Sequence, residues 1–133
     1  MSELSAGKRD RRAIATTDAP APGGAYSQGI VAGGWIFVAG QVPINPATGE
    51  LVEGGIAEQT KQVFFNIQAI LAAAGAGLED VVRVSAHLQN LDDFDEYDTA
   101  YHEFFEADPP ARITVGSDLA GFLIEVEAQA LLP

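Results

Sequence analysis

Three stretches of this chain alternate apolar and polar residues with a period of two, a pattern suited to a sheet with one buried face. In Val81 to Gln89, the residues Val82, Val84, Ala86 and Leu88 oppose Val81, Arg83, Ser85, His87 and Gln89. In Phe122 to Leu131, the set Ile124, Val126, Ala128 and Ala130 opposes Leu123, Glu125, Glu127 and Gln129. Ile113 and Val115 likewise oppose Arg112 and Thr114. Such a sheet needs a cover for its apolar face, and two segments qualify as helices. From about Ala57 to Ala74, Val63, Ile67, Ile70, Leu71 and Ala74 form one apolar face, with Gly75 and Gly77 as stops. The second helix opens at Asn90 to Asp93 with Asp92 as its cap, carries Phe94, Tyr97, Tyr101, Phe104 and Phe105 on one face, and ends at Asp108-Pro109-Pro110. The polar face of the sheet is then either solvated or pressed against another subunit.

The remaining segments fit the same plan. Ala13 to Thr17 reads as a short first strand, and Asp18 to Gly24 as a Pro/Gly loop. Gly33-Gly34 separates two short apolar runs, a hairpin signal, and Asn45 to Gly49 marks another turn. A chain of 133 residues fits one domain. The expected division is a disordered basic tail over 1–12 and a folded domain over 13–133.

Charge narrows the function. Lys8, Arg9, Arg11 and Arg12 leave only Lys61, Arg83 and Arg112 as cations in the body, which holds all of the nineteen acidic residues except Glu3 and Asp10. Such a body repels a phosphate backbone, which excludes nucleic acid as the expected partner and speaks against ribonuclease activity. No apolar run is long enough for a membrane span, and the first residues lack the apolar core of a secretory signal. The absence of cysteine removes disulfides, thiolate zinc sites and cysteine nucleophiles, and fits a cytoplasmic location. His87 and His102 stand in no metal-binding spacing, and no glycine-rich phosphate motif occurs, so neither a metal nor an organic cofactor is expected.

Arg112 stands out against this background. A planar fork of five donors at the start of a strand suits bidentate capture of a small carboxylate; the alternative, which residue type and charge alone favour, is an internal salt bridge to a nearby acid. The alternation puts Arg112, Glu125, Glu127 and His87 on the polar face, as a guanidinium and carboxylate able to hold and hydrolyse a small acid or as a cross-strand ion pair.

An ordered set of motifs resembles the Rid family of reactive-intermediate deaminases, also called the YjgF family. The set comprises Ala19-Pro20, Gly24-Ala-Tyr-Ser-Gln-Gly29, Ala39-Gly-Gln-Val-Pro43, Asn45-Pro-Ala-Thr-Gly-Glu50 and Gln59 to Asn66 running into Ala72 to Gly75. It continues through Leu78 to Val82, Leu91-Asp-Asp-Phe94, Tyr101 to Phe105, Pro110-Ala-Arg112 and Ile124-Glu-Val-Glu127. The resemblance implies an α+β, chorismate-mutase-like single domain, with a mixed sheet and two helices on one face, assembling as a homotrimer with ligand sites between subunits. It implies cofactor-free hydrolysis of enamines and imines such as 2-aminoacrylate and 2-iminopropionate to keto acid and ammonia. In that reading Arg112 holds the substrate carboxylate and Glu125 positions water, while Tyr26 and the Gly40 backbone line the pocket. Asp98 and Thr114 fall at substrate-binding positions where the family commonly has Asn and Cys. Asp98 adds a negative charge that opposes an anionic substrate unless it is paired. The alternative expectation is a non-catalytic protein that senses a small carboxylate metabolite.

Overall fold

A computed structural model describes residues 10–133. Eight strands and two helices follow in the order β1 (Arg11–Ile14), β2 (Gly29–Ala32), β3 (Trp35–Gln41), β4 (Ile44–Asn45), β5 (Glu50–Leu51), α1 (Ile56–Ala73), β6 (Val81–Leu88), α2 (Phe94–His102), β7 (Ala111–Gly116) and β8 (Ile124–Leu131). Six strands form one sheet in the order β1-β2-β3-β8-β6-β7, and β4 and β5 pair separately. All neighbours in the main sheet are antiparallel except β6 and β7, so the sheet is mixed. Among the described residues no helix is long and apolar enough to cross a membrane.

Gly33 and Gly34, with φ of 60° and 83°, make the tight turn between β2 and β3, a backbone region open mainly to glycine. Glu58 in the first turn of α1 accepts a hydrogen bond from the Gly55 N–H at 2.9 Å, and that bond lowers its pKa. Gly75, at φ 81°, ends α1 where expected. The apolar stripe of α1 packs on the sheet through Val63, Phe64, Ile67, Ile70 and Leu71, each fully buried against Ile36, Val84, Ala86, Ile124 and Val126.

Four expectations require correction. The first strand begins at Arg11 and ends at Ile14; Arg11 and Arg12 pair with Ala32 and Val31 and so belong to the sheet, while residues 1–9 of the expected tail lie outside the described residues. The cap of the second helical segment is Asn90, whose Oδ1 accepts from the Asp92 N–H at 2.9 Å and opens a 3-10 turn over Leu91–Asp93. That helix stops at His102, not at the prolines, because Glu103 and Phe104 bond back to Ala100 and Tyr101 in a tightened last turn. Finally, Val81 and not Val82 enters the core. The β6–β8 register passes from Val81↔Ala130 to Arg83↔Gln129, so Val82 is the extra residue of a bulge and the alternation changes phase there.

Two buried amides tie loops to this frame. Asn66 donates from Nδ2 to the Val42 and Ile44 carbonyls at 3.1 and 3.0 Å, and Gln28 donates from Nε2 to Thr16, Ala19 and Pro20 while its Oε1 accepts from the Thr16 N–H at 2.7 Å. Replacing Asn66 by leucine strands both carbonyls, and we expect a loss of about 2 kcal/mol or more in denaturant unfolding.

Candidate functional site

The side chains expected to share a site fall into two groups on opposite faces of the sheet. On β7, Arg112 stands opposite Val84 and Thr114 opposite Ala86, both core residues of β6, so Arg112 and Thr114 point toward the helices. On β8, Glu125 stands opposite His87, on the face away from the helices, with Glu127 opposite Ser85. The expected meeting of Arg112 with Glu125, Glu127 and His87 on one face therefore does not occur within the chain. Ile113, expected in the core, is 46% exposed instead. The physical reason is that β7 is an edge strand whose helix side is closed by the aromatic face of α2, leaving its apolar side outward.

The first group is built by α2. The Arg112 guanidinium lies 4.5 Å from the ring centroid of Tyr101, 5.2 Å from Tyr97 and 5.5 Å from Phe94. Its Nη1 donates to Asp98 Oδ1 at 2.8 Å, one helical turn from Tyr101 and Phe94 on α2. Thr114 Oγ1 and the Tyr97 hydroxyl share a hydrogen bond at 2.9 Å, which fixes the ring beside the guanidinium. Burial acts to lower the Arg112 pKa, but the bond to Asp98 and the nearby Tyr97 and Tyr101 outweigh it, and the net shift is upward. Burial pushes the Tyr101 hydroxyl up to about 12, and the hydroxyl has no hydrogen-bond partner among the described residues. Burial likewise raises Tyr97, against the opposing pull of Thr114 and Arg112. A cavity of about 380 Å3 opens over Arg112, Asp98 and Tyr101, walled by His102, Phe105 and the Pro109-Pro110 pair. The guanidinium is thus both salt-bridged internally and presented to a cavity. The four donors not committed to Asp98 have no protein partner among the described residues.

The second group surrounds Gly40. Tyr26, 51% exposed, lines a cavity of about 650 Å3 with Gly40, Gln41, Val42 and Phe122. The Glu125 carboxylate packs directly over the Gly40 Cα, where any Cβ would collide with Oε2. Gln28 lines the same cavity and, through its four backbone bonds, pins the Thr16 to Pro20 loop, whose Pro20 also lines it. Sequence reasoning missed Gln28 as a framework residue; a lone amide between Ser27 and the apolar strand Gly29–Ala32 was the available signal. His87 hydrogen-bonds Ser117 through Nδ1 at 2.7 Å. His102 is exposed at the end of α2.

Comparison with known proteins agrees with this architecture. The family model described as Endoribonuclease L-PSP matches residues 16–132. A RutC family protein of Pyrococcus abyssi is 50% identical over 122 residues, covering 90% of this chain and 96% of the relative. A 2-iminobutanoate/2-iminopropanoate deaminase of Rattus norvegicus is 39% identical over 123 residues, covering 91% of this chain and 90% of the relative. The crystal structure of YyfA from Yersinia pestis, described as a protein of unknown function of the conserved Rid family, superposes with a TM-score of 0.87 at 37% identity, covering 91% of this chain and 98% of that one.

Proposed function

This chain belongs to the Rid family of L-PSP-type proteins, and from that premise we propose that it hydrolyses small α-imino acids, and the enamines that tautomerise to them, to keto acid and ammonia. The observation that carries the reading is Arg112: a largely buried guanidinium packed against three aromatic rings and lining a cavity of small-molecule size. In this mechanism those donors hold the substrate carboxylate. Glu125 takes a proton from water as the water oxygen bonds to the imine carbon. The resulting carbinolamine nitrogen is protonated, its C–N bond breaks, ammonia leaves and the C=O forms. An imine carbon is already electrophilic, so placement and one base suffice.

Because Arg112 and Glu125 lie on opposite faces of one sheet, the reading places each reaction centre between two copies of the chain, in a trimer. Arg112 comes from one copy, and Glu125, Gly40 and Tyr26 come from the next. The half-exposed apolar side chains Trp35, Phe37 and Ile113 on the side away from the helices support such an assembly.

The test is ammonia release from imino acids generated in situ by an amino acid oxidase, measured above the spontaneous rate. Decay at the spontaneous rate across a broad panel would overturn the proposal. It would leave the metabolite-sensing alternative, for which the internal Arg112–Asp98 pair is the supporting observation. Within the deaminase reading, Gly40→Ala is informative. The added methyl displaces only the far end of the flexible Glu125 side chain, so we expect kcat to fall about tenfold or more while the melting temperature shifts by a few degrees at most.

A further inference from the structure

We propose that Asp98 is a specificity-determining residue that makes the site select a zwitterion, with a protonated nitrogen on the carbon next to the carboxylate, over the plain carboxylate anion. The inference rests on the deaminase reading for its meaning in catalysis, but its binding content stands on geometry alone. Asp98 occupies one donor of Arg112 at 2.8 Å, and both line the same cavity, with side-chain exposures of 49% for Asp98 and 21% for Arg112. The three rings around the guanidinium prevent it from turning away to escape its partner.

The entering ligand therefore meets a fixed pair of opposite charges instead of a lone cation. A free carboxylate gains hydrogen bonds from the uncommitted Arg112 donors but little net Coulomb attraction, since Asp98 cancels the charge and repels the anion. A molecule that carries a cationic N–H beside its carboxylate presents the reverse pattern. Its carboxylate sits on Arg112, and its nitrogen donates to the free lone pairs of Asp98. Among the described residues the only other basic side chain lining this cavity is His102, so the pattern is set by the Arg112–Asp98 pair.

An α-imino acid in its iminium form fits this pattern, and the iminium is also the more electrophilic form at carbon. Its hydrolysis product does not fit: the keto acid has lost the nitrogen and is a plain anion. The same carboxylate that favours substrate thus disfavours product. Asp98 relieves product inhibition at the cost of weaker binding to any simple carboxylate.

The experiment compares stable probes that need no turnover. Calorimetric titration of the wild-type protein and of Asp98→Asn, with Asp98→Ala as a second variant, uses 2-ketobutyrate as the anion and 2-aminobutyrate as the zwitterion. We expect each variant to bind the keto acid about tenfold more tightly and the amino acid about tenfold more weakly, the scale of one hydrogen bond to a charged group. A ratio of the two dissociation constants unchanged from wild type overturns the proposal. So does a parallel shift of both constants, which would mark Asp98 as purely structural. Turnover is measured separately: an inactive wild type sinks the deaminase reading while the binding ratio still decides the role of Asp98. In an active enzyme, Asp98→Asn should raise KM for the imino acid and lower the inhibition constant of the keto acid.

Discussion

Replacing Arg112 by alanine should lower kcat/KM for imino acids by about a thousandfold or more, because the carboxylate loses two charge-assisted hydrogen bonds, each about 1.5–3 kcal/mol. The fold should survive. Asp98 is half-exposed and rehydrates once its partner is gone, so the lost ion pair costs about 1 kcal/mol or less. The three rings lose a cation above them, a further modest term, but stay packed on one another, Phe94 on Tyr97 and Tyr97 on Tyr101, with Tyr101 also against Phe64 and Phe105. A near-native melting temperature with lost turnover is therefore the expected pair of readings. Arg112→Lys separates charge from shape. A lysine keeps the cation but not the planar fork, and its compact ammonium pairs with Asp98 alone, so most of the activity should stay lost. Recovery to near wild-type rates in the lysine variant would mean that the guanidinium geometry is irrelevant and that the carboxylate is held elsewhere.

The behaviour of Arg112 also shows which parts of this molecule were legible in its sequence. The helix α1 and the strands β6 and β8 were legible because each carries many apolar residues in a fixed period, and burial against a large neighbour leaves one solution. The turn at Gly33-Gly34 was legible because few residues adopt its backbone. β7 was recognisable as a strand, but not which of its faces looks inward. A stretch such as Arg112 to Val115 alternates equally well in either phase, and the usual rule that apolar means inward fails on an edge strand. There the outward side leaves Ile113 half-exposed, and the inward side is closed by aromatic rings that welcome a cation. The bulge at Val82 was illegible for a related reason. Val81 and Val82 are chemically identical, so only the pairing with β8 decides which is buried. As for the site, its membership followed from resemblance, whereas its division between two faces depends on strand neighbours that no local pattern encodes.

That division makes the strongest test one of mixing. Arg112→Ala and Glu125→Ala should each be inactive alone, but oligomers formed from an equal mixture, by coexpression or by refolding together, should recover activity. If Arg112 of one copy works with Glu125 of the next, a centre is intact when a copy with arginine precedes one with glutamate. Random assembly in a closed ring gives that order at about a quarter of the centres, whatever the number of subunits. The recovered rate should thus approach a quarter of wild type, far above either parent. The reverse mixture supplies the control. Wild-type chains mixed equally with the double variant should retain about a quarter of the full rate when the two residues act across copies, and about half when they act within one. A mixture as inactive as its parents, together with half-activity in the control, would show that the two faces of one sheet serve a common centre by some route through the chain itself. The expected result instead makes the edge strand's inverted phase the device that splits the chemistry. Arg112 is turned toward α2 where the rings can hold it and Glu125 is turned the other way over Gly40, so on that result assembly would be what joins them.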